Sequence, residues 1–526
     1  MSGRVQQHSI AGGTIVLPGA IGTAAAGTAA RFADIWLRGF VVAVLFGMVL
    51  RSFSFERTGL NWDESLYLVM AQRWLQGGVP YVAVWDQHPI GIPAIFAMVE
   101  WLTGGGLVAI RLALLGAVAA TSVLIYAFGR LHLGDHKAGL LAAFLYQLYM
   151  ARPEGLVANA EPFNDLFVVS ASFILFAQML QPAASRRACG LFLAALLLGV
   201  GLQMKYVVFP EAVAFCLMAL IHARRCGVEM RRVTGLALLA MAGGLLPTLL
   251  AAGYLWQAGA LPLFLDANIR ANAAYVAIPI SFVDLSHRIY ASLRPLAALS
   301  AVGAACLILL WREQAQRHRT ASIWLGVWLI AAGVDVAMPM KFWSHYFNAL
   351  IAPLCLLVGS GIVLLVRRAD RVGRIAAALG GCAVIGAAAF TLVTQAGVSR
   401  SLSGGNVPKA IAERILNGGS SGDDVYVVNY DPIIYFYTAV KPPTPYVLGI
   451  ELAQYAISSG SAPEAELRRI LARNPRWIVV ATPSTYLFTE GFQNELAGAL
   501  AVMTLDSEYA EWGFEARLLS VKLYRR

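Results

Sequence analysis

The sequence predicts a mostly α, polytopic membrane protein that ends in a small α/β domain, and three observations carry that prediction. Hydrophobic residues fill 58% of the 526 positions and charged residues only 13%, with a mean hydropathy of +0.65. A soluble domain of any size needs far less apolar surface than this. Apolar runs of bilayer length then recur from residue 35 to residue 396. After about Val398 the composition turns mixed, so the chain divides into a cytoplasmic tail at 1–30, a transmembrane unit at 31–398 and an external domain at 399–526.

The N-terminal residues are rich in Gly and Ala, with no apolar core strong enough for a signal peptide, and read as a mobile tail. A bilayer asks for roughly 20 apolar residues per helix. The stretches 35–54, 107–129, 137–151, 163–181, 188–204, 207–222, 233–256, 291–311, 320–338, 346–366 and 374–396 meet or approach that length, which predicts about eleven spans. The net charge of +10 raises the question of nucleic acid. Its basic residues, however, fall in alternate loops: Arg130/Lys137, Arg186/Arg187, Arg224 to Arg232, Arg312/Arg317/Arg319 and Arg367 to Arg374. That pattern reports topology rather than a nucleic-acid partner, and it sets the N-terminus inside and the C-terminus outside.

Pro89 to Leu102 is too short to span, and counting it as a span would reverse every later basic cluster. It is expected to lie in the outer interface beside an amphipathic helix from Asp63 to Gln76, with the turn Gln76-Gly-Gly-Val-Pro80 between them. The other external segments are Arg152 to Asp165, a hairpin at Lys205/Tyr206, Ala258 to Tyr290, and Met338 to Tyr346. Beyond a Ser/Gly-rich linker at Ser401 to Asn406, Asp424 to Asn429 and Arg476 to Ala481 read as buried strands. Pro463 to Arg473 reads as a helix opened by a Ser461/Glu464 capping box. A helix from Glu490 to Met503 and a final strand ending in Leu519 to Tyr524 complete the domain. No GxGxxG, P-loop, internal repeat or CxxC spacing occurs, and the six cysteines predict neither a thiolate metal site nor a disulfide framework.

The stretch from Leu60 to Gly91 stands out because it gathers Asp63, Glu64, Asp86 and His88 beside lipid, where ionisable groups are rare unless used. Asp63 and Glu64 also suit a structural role, since Asn61 can cap the helix and two carboxylates in its first turn complement its dipole. Lys205, between two apolar runs, reads either as a snorkelling lysine or as a cation for an anionic ligand. Arg111 can pair with a carboxylate, and Tyr346 can anchor a span end at the interface.

The Asp63-Glu64 pair just after the first span, the element Asp86-Gln-His88-Pro89 and the Arg111-Leu-Ala-Leu-Leu-Gly that opens the next span together resemble the GT-C membrane glycosyltransferases. Within that group they resemble the protein O-mannosyltransferase and aminoarabinose (lipid A) transferase family. The resemblance covers residues 35 to about 400 in layout and rests on Asp63/Glu64, Asp86 to Pro89, Arg111, Glu161, Lys205 and His345/Tyr346. It departs at His88-Pro89-Ile90, where such enzymes often carry Lys-Pro-Pro. It implies a multi-pass enzyme of the bacterial inner membrane that takes a sugar from a polyprenyl-phosphate carrier at the outer face and inverts the anomeric carbon. The acceptor would be a lipid, a polysaccharide or a protein.

A carrier phosphate leaves as a monoester and needs no proton, so one general base suffices, unlike the two carboxylates of a glycosidase. The resemblance then assigns Asp63 as the base, with Glu64 orienting it or the sugar. Lys205, His88, His345, Tyr346 and Arg111 are assigned to the donor phosphate, and Asp86 and Glu161 to the sugar, the acceptor or a metal's surroundings. The reaction requires no cofactor, although these carboxylates are hard oxygen ligands suited to a divalent cation. The competing readings are an oligosaccharide ligase or polymerase of the same fold, and a transporter or flippase. The transporter reading is disfavoured because the ionisable motifs gather in outer loops rather than at mid-span.

Overall fold

The computed structural model describes residues 36–526 apart from 56–57, 59–60, 181–186, 369, 402–405, 420–424, 456–461, 485–487 and 513–517. The expected N-terminal tail, Leu60 and most of the Ser/Gly-rich linker therefore lie outside the described residues. So does Ser461, and the helix it was expected to cap runs Pro463–Leu471 with Ala462 at its N-cap position.

Among the described residues, nine helices are long and apolar enough to cross a bilayer. They are Gly106–His132, Ala160–Leu180, Arg187–Met204, Tyr206–Arg225, Met230–Gln257, Phe282–Arg312, Gln316–Ala337, Ser344–Arg367 and Arg371–Thr394. The two other expected spans are the helix at 36–51 and His136–Tyr149, whose 14 residues fall short of a bilayer on their own. His136–Tyr149 packs between Gly106–Ala127 and Ile351–Arg367. Burial sorts the bundle: 67% of the apolar window of Ser344–Arg367 is covered by protein, against 17% in Met230–Gln257 and Arg371–Thr394. The first is therefore a central helix, while the other two turn most of their apolar surface to lipid.

The loop after the first apolar helix folds into two short helices. Trp62–Leu75 is opened by Asn61, whose side chain accepts from the Asp63 backbone N–H at 2.8 Å, and Asp63 and Glu64 sit at its positive end. It stops at Gly77, where φ is +88°. The expected single apolar stripe is not what is found: every residue from Glu64 to Ala71 is buried. The reason is coverage from above, since Gln72 donates to the carbonyl of Phe436 and the Trp62 ring meets Tyr430 edge-on, both from the C-terminal domain. The second helix, Gly91–Thr103, has the non-spanning length that was expected and buries Ile92, Phe96 and Val99 while Met98, Trp101 and Leu102 stay exposed. Gly91 packs directly on the carbonyl of Gln203, a contact that a β-carbon would block. This close approach brings the segment that holds His88 up against the segment that holds Lys205.

The C-terminal domain holds a four-stranded sheet in the order β1-β2-β4-β3. Strand β1 (Val425–Val427) runs parallel to β2 (Trp477–Thr482), β2 is antiparallel to β4 (Leu518–Arg525), and β4 is antiparallel to β3 (Thr504–Trp512). Alternation along the strands splits the sheet into two faces. Tyr426 and Ile478 pack with Leu467, Ile470 and Phe492 from the helices Pro463–Leu471 and Glu490–Ala501. Val425, Val427, Trp477 and Val479 belong to the apolar core continuous with the membrane bundle, together with Ile411 and Ile433. The domain thus packs on the bundle's core through one sheet face.

Candidate active site

Asp63 and Glu64 are neighbours in sequence with different surroundings. Glu64 is buried and accepts two hydrogen bonds from Arg111, Nε to Oε1 at 3.0 Å and Nη2 to Oε2 at 2.6 Å, plus one from the Ala158 backbone N–H at 3.0 Å. Arg111 also donates to the carbonyl of Ser54. The expectation that Arg111 binds the donor phosphate gives way to the ion-pair alternative: its guanidinium is only 2% exposed and already faces Glu64 and Ser54. Two-point geometry of this kind is what a guanidinium and a carboxylate favour. Glu64 and Arg111 therefore fix the helix Trp62–Leu75 against the span that follows. Asp63 is half-buried, and its carboxylate meets the Asn159 amide at 3.5 Å, the outer limit of a hydrogen bond. That leaves it open to substrate.

Lys205 does not snorkel. Its Nζ lies 2.6 Å from Glu161 Oε1 and 4.1 Å from the centre of the Tyr346 ring, and its side chain is 9% exposed. His345 Nε2 approaches the same Glu161 oxygen at 3.8 Å. On the opposite side, Asp86 is buried and its Oδ1 meets His88 Nδ1 at 2.8 Å, while the Tyr67 hydroxyl lies 3.5 Å from the same nitrogen. The His88 main chain is fixed by the Tyr81 hydroxyl, which donates to its carbonyl at 2.9 Å. Asn272 holds the preceding carbonyl, that of Gln87, at 2.8 Å.

The two halves converge on Tyr67. Burial pushes its phenol well above the usual range, and the carboxylates of Asp86, Asp63 and Glu161 push it the same way. His88 in turn feels Asp86, Lys205 and Asp63. The segment from Asp63 to His88, Glu161, Lys205 and Tyr346 thus share one electrostatic neighbourhood. Sequence reasoning missed Tyr67, Tyr81, Asn159 and Asn272; only Tyr67 carried a signal, being four residues after Asp63 and so on the same helix face. The second oxygens of Asp86 and Glu161 are buried without a hydrogen bond among the described residues, which leaves two unused acceptors. Asp86 faces His88 and Glu161 faces Lys205, and no group of three His, Cys, Asp or Glu is placed to hold a metal ion among the described residues.

Burial works against protonation of His88, but Asp86, by charge and by hydrogen bond, together with Asp63 outweighs burial and the opposing Lys205, so its pKa is raised above 6.5. A raised folded-state value means that the charged pair stabilises the fold fully at acidic pH and that this contribution is lost as pH rises through the raised value. The melting temperature is therefore expected to fall as pH climbs above about 6.5. His88→Gln should flatten that slope, and an unchanged slope in the variant would show that the His88 pKa does not differ between the folded and unfolded states.

Comparison with known proteins gives matches in sequence and in fold. Residues 87–249 match the family model described as dolichyl-phosphate-mannose-protein mannosyltransferase. No curated protein sequence is similar enough to match. The fold is similar to ArnT from Cupriavidus metallidurans bound to undecaprenyl phosphate, with a TM-score of 0.58 and 14% identity, covering 94% of this chain and 98% of that one. It is also similar to the Archaeoglobus fulgidus oligosaccharyltransferase in complex with Zn and sulfate, with a TM-score of 0.51 and 12% identity, covering 84% of this chain and 67% of that one. In sequence over residues 87–249 and in fold over nearly its whole length, the chain resembles the GT-C membrane glycosyltransferases of the mannosyltransferase and aminoarabinose transferase kind.

Proposed function

We propose that the protein is an inverting glycosyltransferase that moves a sugar from a polyprenyl-phosphate carrier to an acceptor hydroxyl at the outer face of a bacterial inner membrane. The observation that carries this reading is the convergence of an open carboxylate, Asp63, with Lys205, His88 and His345 around Tyr67. The acceptor oxygen attacks the anomeric carbon, and the bond from that carbon to the carrier phosphate breaks. The phosphate leaves with the bonding electrons, and Asp63 takes the acceptor proton. Lys205 and His88 face the charge that develops on the leaving phosphate, which is where preorganised cations lower a barrier most. The likeness to a structure bound to undecaprenyl phosphate supports a lipid carrier of this class.

The C-terminal domain lies against the same loop, with the Trp85 N–H donating to the Pro445 carbonyl at 2.9 Å, and this favours a part for it in holding the acceptor. Cells that lack the protein are expected to accumulate a polyprenyl-phosphate sugar and to lose one envelope modification, both read by mass spectrometry of lipid extracts. Unchanged lipid profiles would overturn the donor assignment. The outer location is tested by reporter fusions. Those after Arg232 and Arg319 should report the cytoplasm and one after Gly404 the exterior, so a cytoplasmic signal at Gly404 would refute the placement of the C-terminal domain.

A further inference from the structure

Among the described residues, a pair of cations beside the site, Arg288 and Lys341, has no carboxylate partner. Lys341, between the spans Gln316–Ala337 and Ser344–Arg367, is 3% exposed; its Nζ donates to the Ile278 carbonyl at 2.7 Å and lies 4.9 Å from the centre of the Tyr275 ring. Arg288 stacks on Trp343 at 3.8 Å and donates to the Lys341 carbonyl at 3.3 Å. It belongs to the outer end of Phe282–Arg312, whose 31 residues exceed the roughly 20 that a bilayer requires. Burial first and then Arg288 lower the pKa of Lys341, and among the described residues no carboxylate offsets them. Lys205, His88 and His345, by contrast, each sit beside a carboxylate.

The backbone here is also unusual. Met340 and Phe342, on either side of Lys341, have φ of +56° and +50°, a left-handed conformation that bulky side chains disfavour. Strained backbone around a buried ammonium that faces only a carbonyl and an aromatic ring, with no carboxylate among the described residues, is costly, and such costs gather where a ligand is held. Tyr275, hydrogen-bonded to Trp343 at 2.6 Å, forms an aromatic layer between this pair and the Tyr346 ring that carries Lys205. The pair therefore lies outside the carboxylate-rich centre. Phe282 and Val283, on the Arg288 helix, are 83% and 73% exposed and suited to acyl chains.

We propose that Arg288 and Lys341 form a second anion site, which takes the phosphate of a membrane lipid other than the sugar donor. It rests on the reading that places the donor phosphate at Lys205. The test uses the purified full-length chain and measures binding of dihexanoyl phosphatidic acid, dihexanoyl phosphatidylcholine, inorganic phosphate and a short polyprenyl phosphate. Losing a charge-assisted contact should weaken phosphatidic acid binding about tenfold or more in Arg288→Gln and in Lys341→Met. Polyprenyl phosphate binding should be unchanged in both, and Lys205→Ala should show the reverse pattern.

Arg288 is partly exposed, so Arg288→Gln keeps the test valid should Lys341→Met fail to fold. Equal phosphatidic acid binding by Arg288→Gln and the unmodified protein would overturn the proposal. So would equally tight binding of the choline lipid or of inorganic phosphate, because the site would then read neither net charge nor lipid. Competition between phosphatidic acid and polyprenyl phosphate, with both weakened in Arg288→Gln, would make the pair the donor's own site and overturn it as well. If Lys205→Ala left polyprenyl phosphate binding intact while Arg288→Gln still lost phosphatidic acid, the second site would stand and only the Lys205 assignment would fall.

Discussion

Turnover of the Asp63→Asn protein is expected to collapse by about 10² to 10⁴-fold, the usual effect of removing a general base, while its melting temperature stays close to that of the unmodified protein. The amide has the shape of the carboxylate but cannot accept the proton. The helix cap survives the change, because Asn61 bonds the backbone N–H of residue 63 and not its side chain. What is lost structurally is a carboxylate at a helix N-terminus, a contact worth about 0.3 to 1 kcal/mol. Catalytic and structural roles therefore separate by kind of effect. Transfer from a polyprenyl-phosphate sugar and thermal unfolding should be measured on the same preparation. Near-normal transfer would remove Asp63 as the base, and a loss of transfer matched by a loss of stability would make it a structural residue.

The second large effect belongs to Arg111, and its sign is the opposite: stability falls before chemistry is reached. Arg111→Met leaves Glu64 buried with only the Ala158 N–H against it, and breaking a buried pair from one side costs about 3 to 5 kcal/mol. Arg111→Lys should recover little, since an ammonium cannot present two parallel donors. The double variant Glu64→Leu/Arg111→Met should regain much of the loss, because no uncompensated charge remains. Thermal unfolding of the three proteins checks this. A normal melting temperature with weakened donor binding in Arg111→Met would restore Arg111 to the phosphate site.

The membrane character was legible because apolar run length is a property of the sequence itself, and the nine bilayer-length helices among the described residues agree with it. The non-spanning length of Gly91–Thr103 was legible for the same reason. Strands β1, β2 and β4 announced themselves as apolar runs. Strand β3 did not, since Thr504-Leu-Asp-Ser-Glu-Tyr-Ala-Glu-Trp512 lies at the sheet edge and carries little apolar signal. Pairings were the least visible feature. Glu64 finds Arg111 across 47 positions and Lys205 finds Glu161 across 44, distances over which no local periodicity operates. The all-round burial of Glu64 to Ala71 was hidden for a related reason, because part of what covers that helix comes from the far end of the chain.

That covering has a consequence in time. The hydrogen bond from Gln72 to the Phe436 carbonyl joins residues 364 positions apart. At ribosomal speeds of about 5 to 20 residues per second, the helix bearing Asp63 waits roughly twenty seconds to a minute before its cover is even synthesised. Throughout that interval the helix lacks the contacts that Gln72 makes with Phe436 and Trp62 with Tyr430. Completion of the final fifth of the polypeptide is thus the event that gives the helix its finished surroundings, and nascent chains released before it carry the helix without that cover.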